Sequence, residues 1–305
     1  MDLLTLGEAF EDLVFLDLPR LPDPGEEVRT SRFVRTVGGG AVITAIASAR
    51  LGLSCETWSA LGDAAVARLR AEGVAVRNLR RRDEDHAISA ALSTAENRSF
   101  VTYDGVNDQL EGRLVARATR IRARHAHFAL GPRQCRLWIP VLERLKQSGI
   151  GTSWDFGWNE HLLDDPDFAR LLDTLDVLFL NEQEALLYSG RRRLAAALSH
   201  WRRSPGIVVV KLGASGSRWL SAARDLDAPA VPIQPVDTTG AGDAFNGGFL
   251  TARLTGRSPG ACLRLGNRVG ALSTRRAGGL DGLPTTTDLP DARARRRGGR
   301  TRTSP

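Results

Sequence analysis

Lysine is almost missing from this chain of 305 residues: of its 42 basic side chains only Lys146 and Lys211 are lysines. Neither follows a glycine, so a phosphate loop of the Gly-Lys-Ser/Thr kind is excluded. Cysteine is scarce too. Cys55, Cys135 and Cys262 are odd in number and far apart, which supplies neither a disulfide framework nor a paired-thiol metal knuckle. No apolar run approaches the roughly 18 residues that cross a bilayer. Asp2, Glu8, Glu11 and Asp12 stand where a secretory leader would be basic, so a cytoplasmic protein without a membrane partner is expected.

With 42% hydrophobic and 25% charged residues the chain excludes disorder throughout and reads as one large globular unit. Its net charge of +7 raises nucleic acid as a partner. The distribution argues against one. Six arginines crowd the last thirteen residues and leave +1 over residues 1–292. Residues 291–305 carry no large apolar side chain and read as a basic, disordered tail behind a domain spanning 1–290.

Short β-type runs, LLTLG (3–7), ETWSA (56–60), HAHFAL (125–130), GIGTSW (149–154), DVLFL (176–180) and IVVVK (207–211), alternate with helical periodicity over 41–52, 134–148, 191–202 and 241–254. This order predicts an α/β fold, a three-layer α/β/α sandwich around a mostly parallel sheet. Two stretches interrupt it. Residues 12–36, rich in proline, and 87–107, with two polar strands around a turn, predict a small antiparallel β lid placed to cover a site.

The stretch VDTTGAGDAFNGGFL at 236–250 carries the most chemistry. Thr238 and Thr239 lead through Gly240, Ala241 and Gly242 into an amphipathic helix, where unpaired amides and the helix dipole favour an anion. The dinucleotide pattern GxGxxG is excluded, because Phe245 stands where its last glycine would be. An aspartate inside such a cradle repels the anion its neighbours attract. Asp243 is therefore either a general base for a hydroxyl attacking a phosphoryl group, or simply an N-cap.

DTTGAGDAF at 237–245 resembles the carboxy-terminal signature of the ribokinase-like, or PfkB, carbohydrate kinases. Further motifs follow in the family's order: GEAFEDL at 7–13, matched to the first strand, VGGGAVITAIASARLG at 37–52, GVN at 105–107, NEQE at 181–184 and KLGASGS at 211–217. The resemblance implies a kinase that phosphorylates a hydroxyl of a small sugar or sugar-like substrate, with a nucleoside kinase or a non-catalytic sensor as alternatives. It implies ATP and Mg²⁺, with Asp243 as base and the backbone of Gly240, Ala241 and Gly242 as anion hole. Asn181 and Glu184 would order the metal through its waters; an N-cap and a surface acid are the plainer reading. Lys211, Gly213 and Gly216 would meet the nucleotide, and Asn267 and Gly270 would wall its adenine or merely pack a helix. Asp12, Gly38, Gly39 and Gly40 would meet acceptor hydroxyls, with Arg98 a lid contact or an ordinary hairpin charge.

Ile43 stands where the family usually places a sugar-binding asparagine, which implies an altered acceptor pocket. A monovalent cation near Asp237 and Thr239 and a homodimer formed through the lid are left open. His125 and His127 alternate on one strand without a third ligand and read as structural. Asp155, between Trp154 and Trp158, ends a strand on the ligand side; it lines the phosphate region, or the tryptophans are packing.

Overall fold

The structure, a computed structural model, describes residues 1–94 and 98–289. The Arg98 side chain and the segment read as a tail lie outside the described residues. In chain order the strands are β1 (Leu3–Gly7), β2 (Phe10–Leu18), β3 (Arg32–Gly38), β4 (Cys55–Ser59), β5 (Ala75–Asn78), β6 (Ile88–Thr94), β7 (Arg98–Tyr103), β8 (His125–Ala129), β9 (Gly151–Asp155), β10 (Val177–Asn181), β11 (Ile207–Lys211), β12 (Ser217–Ser221) and β13 (Arg224–Ala228). The helices are α1 (Gly40–Arg50), α2 (Asp63–Ala71), α3 (Leu110–Val115), α4 (Cys135–Gln147), α5 (Phe168–Thr174), α6 (Glu182–Ser189), α7 (Leu194–Trp201), α8 (Ala241–Leu254) and α9 (Pro259–Ser273). Among the described residues no helix is long and apolar enough to cross a membrane.

The uninterrupted apolar runs form strands because both of their faces are covered. In β10, Val177 and Phe179 enter the core beneath α1, α8 and α9, while Leu178 and Leu180 enter the core beneath α4 to α7. Val209 divides from Val208 and Val210 in β11 in the same way. The nine-stranded sheet has the order β13-β12-β11-β10-β9-β8-β1-β4-β5, parallel from β11 to β5 with the antiparallel pair β12 and β13 at one edge. This is the expected three-layer α/β/α sandwich.

Two expectations need correction. The second sheet, β3-β2-β6-β7, is mixed: β2 pairs antiparallel with β3 but parallel with β6. Each antiparallel pair, β2 with β3 and β6 with β7, joins strands consecutive in the chain, whereas β2 and β6 leave the main sheet separately and in the same sense. Asp12 lies on β2 of this lid and not on the first strand, which ends at Gly7. Strand alternation then gives the lid an inner row, Thr36, Asp12, Ser89 and Thr102, and next to it a second row, Val34, Val14, Ala91 and Phe100.

Candidate active site

Parallel strands end together, and here the carboxyl ends of β9, β10 and β11 deliver Asp155, Asn181 and Lys211 to one place. The loop before α8 arrives at the same place. Gly240 caps that helix in the left-handed conformation, with φ 69°, and no side chain bonds to the cap. Asp243 is thus the third helical residue and not an N-cap, which removes the plainer reading of it. Of the three amides expected to form the cradle, that of Ala241 is donated to Thr238 O at 3.2 Å. Among the described residues no backbone carbonyl accepts from Gly240, Gly242 or Asp243, so these amides, rather than Ala241's, are available at the helix mouth.

The glycine run at 38–40 is shaped by two carboxylates. A Cβ on Gly38 would collide with the carboxylate of Asp12, and a Cβ on Gly40 would lie 2.9 Å from Asp243 Oδ1. One short turn therefore brings the lid acid and the helix acid to the same cleft, although they are far apart in the sequence. Ile43, one turn into α1, is buried with its Cδ1 against Gly240 and Gly279. It packs against the turn that leads into α8 and brings no hydrogen-bonding atom to it.

Charge is concentrated beneath this turn. Lys211 Nζ lies 2.6 Å from Asp155 Oδ2, which also accepts a 2.7 Å bond from Asn246 Nδ2. The ammonium is 3.2 Å from where a Cβ on Gly242 would be, so it sits under the turn at Gly240 to Gly242. Burial opposes its charge, but Asp155, Glu184 and Asp243 outweigh that and raise its pKa. Burial and the negative charge of Asp155 raise both Asp243 and Glu184 to about 7, against which Lys211 pulls. Asp12 is likewise raised to about 7 by burial and then by Asp237.

Asn181 does cap α6: its Oδ1 accepts from the Glu184 amide at 2.8 Å, while its own amide and Nδ2 donate to Glu184. Glu184 is buried, however, not a surface acid. Among the described residues no group of three His, Cys, Asp or Glu side chains is placed to enclose a metal. The donors present are hard carboxylate oxygens with excess negative charge and no closed cage, which fits a small cation that keeps its waters and takes phosphate oxygens.

Beyond Gly242 opens a cleft of about 620 Å³ lined by Gly213, Gly216, Asn267, Gly270 and the proline-rich strap at Pro229 to Pro235. Asn267 Nδ2 donates to the carbonyls of Ala228 and Pro229 at 3.1 and 2.9 Å, so it braces the strap while lining the cleft. Lys211 lies at its inner end with its ammonium committed to Asp155. Trp154 is buried in a stack with Phe128 and Phe156, while Trp158 is exposed; packing is the reading that holds for Trp154. Both Asp237 oxygens accept backbone amides, from Thr239 at 2.7 Å and Gly278 at 2.8 Å.

Four buried carboxyls make a pH prediction for the ligand-free protein. Asp12, Asp243, Glu184 and Glu8 all rise from 3.8 or 4.5 to about 7, Glu8 through burial and Asp104. A carboxyl raised on folding binds protons more tightly in the native state, so its stabilisation is full below the unfolded value and is lost as pH rises through the folded one. Thermal unfolding should show the midpoint falling between about pH 5 and pH 7.5, opposite to the usual carboxylate trend. A midpoint that climbs across this window would mean that burial does not raise these acids.

A doubly wound sheet with a helix mouth, a buried acid and a long cleft at its carboxyl edge, under a small β lid, defines a phosphotransferase architecture. The chain belongs to the pfkB family of carbohydrate kinases, whose family model matches residues 2–286. A ribokinase of Bacillus subtilis (strain 168) is 27% identical over 303 residues, covering 95% of this chain and 98% of that protein. Among solved structures, the adenosine kinase of Sinorhizobium meliloti superposes with a TM-score of 0.79 at 23% identity, covering 95% of this chain and 99% of that one. Arabidopsis thaliana ribokinase, solved with ribose and ATP, gives 0.74 at 23% identity, covering 95% and 98%. The chain is accordingly a kinase with an alcohol group as acceptor.

Proposed function

We propose that the protein transfers the γ-phosphoryl group of ATP to a hydroxyl of a small sugar or sugar-like acceptor. The carrying observation is the turn at Gly38 to Gly40, which holds Asp12 and Asp243 in one cleft beside unspent amides. Asp12 and the backbone of Gly38, Gly39 and Gly40 receive acceptor hydroxyls, and Asp243 takes the proton of the attacking one. The amides of Gly242 and Asp243, with the helix dipole, hold the charge that develops on the transferring group. The cleft accommodates the nucleotide: Gly213 and Gly216 allow its close approach, and Asn267 and Gly270 form a wall. Mg²⁺, when bound, neutralises the phosphates, and Glu184 and Asn181 would hold it through its water shell. The reading requires no monovalent cation.

A panel of sugars and nucleosides assayed with ATP for ADP release tests this. Turnover confined to nucleosides would overturn the sugar acceptor, and no turnover at all would overturn the kinase reading.

A nucleoside acceptor is the second reading, and Phe100 favours it. It belongs to the second row of the lid, with Val14 and Ala91 on the face that carries Asp12, yet is 55% exposed. A ring left open beside the row that carries Asp12 suits a planar or apolar part of the acceptor. If that part is a base, Phe100→Ala should raise the nucleoside KM roughly tenfold, the value of one aromatic stack, and leave simple sugars unchanged.

The outer lid face exposes Phe33, Val101 and Tyr103, and we propose that two copies pair there. Sedimentation velocity should then give twice the 33.1 kDa chain mass; a monomer at micromolar concentration would remove the pairing.

A further inference from the structure

His125 and His127 face the same side of β8 and converge on one hydroxyl: His125 Nε2 lies 2.8 Å, and His127 Nδ1 2.9 Å, from Ser153 Oγ on β9. A serine hydroxyl has a single proton. It can donate to one ring and accept from the other, or accept from both, and the trio alone does not say which. The answer lies two residues along β9, on the same face, where Asp155 accepts from Asn246 Nδ2 and Lys211 Nζ.

Two fully buried side-chain atoms here have no partner among the described residues: His127 Nε2 and Asn246 Oδ1. Asn246 bonds to Asp155, whose charge also reaches His127. The ring of Phe179 meets His127 edge-on at 5.8 Å, and it meets Phe245 and Phe249, on either side of Asn246 in α8, at 6.5 and 5.2 Å. Buried polar atoms need partners. An amide oxygen only accepts, so Asn246 Oδ1 requires a donor. Turning the amide round would instead set that oxygen against the Asp155 carboxylate. An imidazole in its Nε2–H tautomer supplies the donor.

We propose that His127 is a positioning residue which, as the Nε2–H tautomer, donates through one buried water to Asn246 Oδ1 and so keeps the Asn246 amide turned to Asp155. The chain of donors then runs one way. His125 Nε2–H donates to Ser153 Oγ, Ser153 Oγ–H to His127 Nδ1, His127 Nε2–H through the water to Asn246, and Asn246 Nδ2–H to Asp155. Asp155 in turn anchors Lys211 beneath Gly242. Neither imidazole touches a reacting atom. Burial keeps both rings neutral, with pKa values pushed down to about 3 and about 4, so the chain is stable across the ordinary range of pH.

Nitrogen-15 spectra of the full chain labelled at histidine distinguish the two tautomers directly. His127 is expected with Nε2 protonated and Nδ1 bare, unchanged between about pH 6 and pH 8. The Nδ1–H tautomer, or an imidazolium, overturns the proposal. The second arm rests on the proposed kinase reading. His127→Phe should lower kcat about tenfold or more, since small misplacements of a catalytic group cost up to about a hundredfold. KM for ATP should stay within about twofold, and His127→Gln, whose amide reaches the Nε2 position, should restore most of kcat. A folded His127→Phe protein with unchanged kcat overturns the proposal as well. The spectroscopic arm needs no turnover, so a chain with the expected tautomer and no phosphoryl transfer would sink the kinase reading alone.

Discussion

Asp243→Asn should lower kcat by about a thousandfold, at the upper part of what general-base catalysis supplies, and leave KM for ATP within a few-fold. The same substitution should raise thermal stability. Asp243 is raised to about 7 by burial and by the charge of Asp155, so its ionised form is strained in the ligand-free protein, and a neutral amide of the same shape relieves that strain. Opposite signs for activity and stability are the signature of a base held at a cost. An aspartate that merely capped the helix would show neither effect, because asparagine caps equally well. Gly240 occupies the cap in any case. Unchanged kcat in the folded variant would remove Asp243 from the chemistry, and a lowered midpoint would mean that its carboxylate is a structural partner. In the free enzyme, kcat/KM should rise with pH through about 7 as this group ionises.

How legible all this was in the sequence depended on whether the determining contacts are local. β1 and β11 were read to the residue, because a strand covered on both faces is a nearly continuous apolar run, broken here only by Thr5, the terminal Gly7 and the terminal Lys211. The helix mouth was legible for the same kind of reason, since its glycines and acid are consecutive. What escaped was pairing at a distance. Nothing near Asp12 or Ser89 signals that their strands run parallel, which is set by how two separate segments leave the main sheet. Asp155 and Lys211 stand 56 residues apart, and read singly they suggested a phosphate liner and a nucleotide contact. Only their union shows one buried pair beneath the loop. Ile43 was read through the resemblance as a position of the acceptor pocket; no local pattern announces that it also packs on Gly240 and Gly279, contributed by segments far along the chain. Ala241 was counted in the cradle because sequence cannot tell an amide at a helix mouth from one already bonded within the turn.

Lys211→Met should be the most damaging single change to stability at the site, costing about 3–5 kcal/mol, the usual result of leaving one member of a buried pair behind. The side chains of Lys211 and Asp155 are only 13% and 10% exposed, so water cannot take the cation's place. Asn246 Nδ2 would remain as the donor to the abandoned carboxylate oxygen, and an amide does not offset a full charge. Asp155 would then meet the loss by binding a proton, or the fold would loosen around it. Both routes have kinetic consequences. Lys211 pulls the Asp243 pKa down, so its loss should move the acid limb of kcat/KM upward and depress activity most near neutral pH. Arginine is not a remedy. The ammonium meets Asp155 as a point charge close under Gly242, and a planar guanidinium with its fork of donors does not reproduce that contact. Lys211→Arg should therefore recover stability only in part and leave kcat low. Equal unfolding midpoints and superimposable pH profiles for wild type and Lys211→Met would show that the pair neither supports the fold nor sets the base, and the electrostatic account of this site would fall with it.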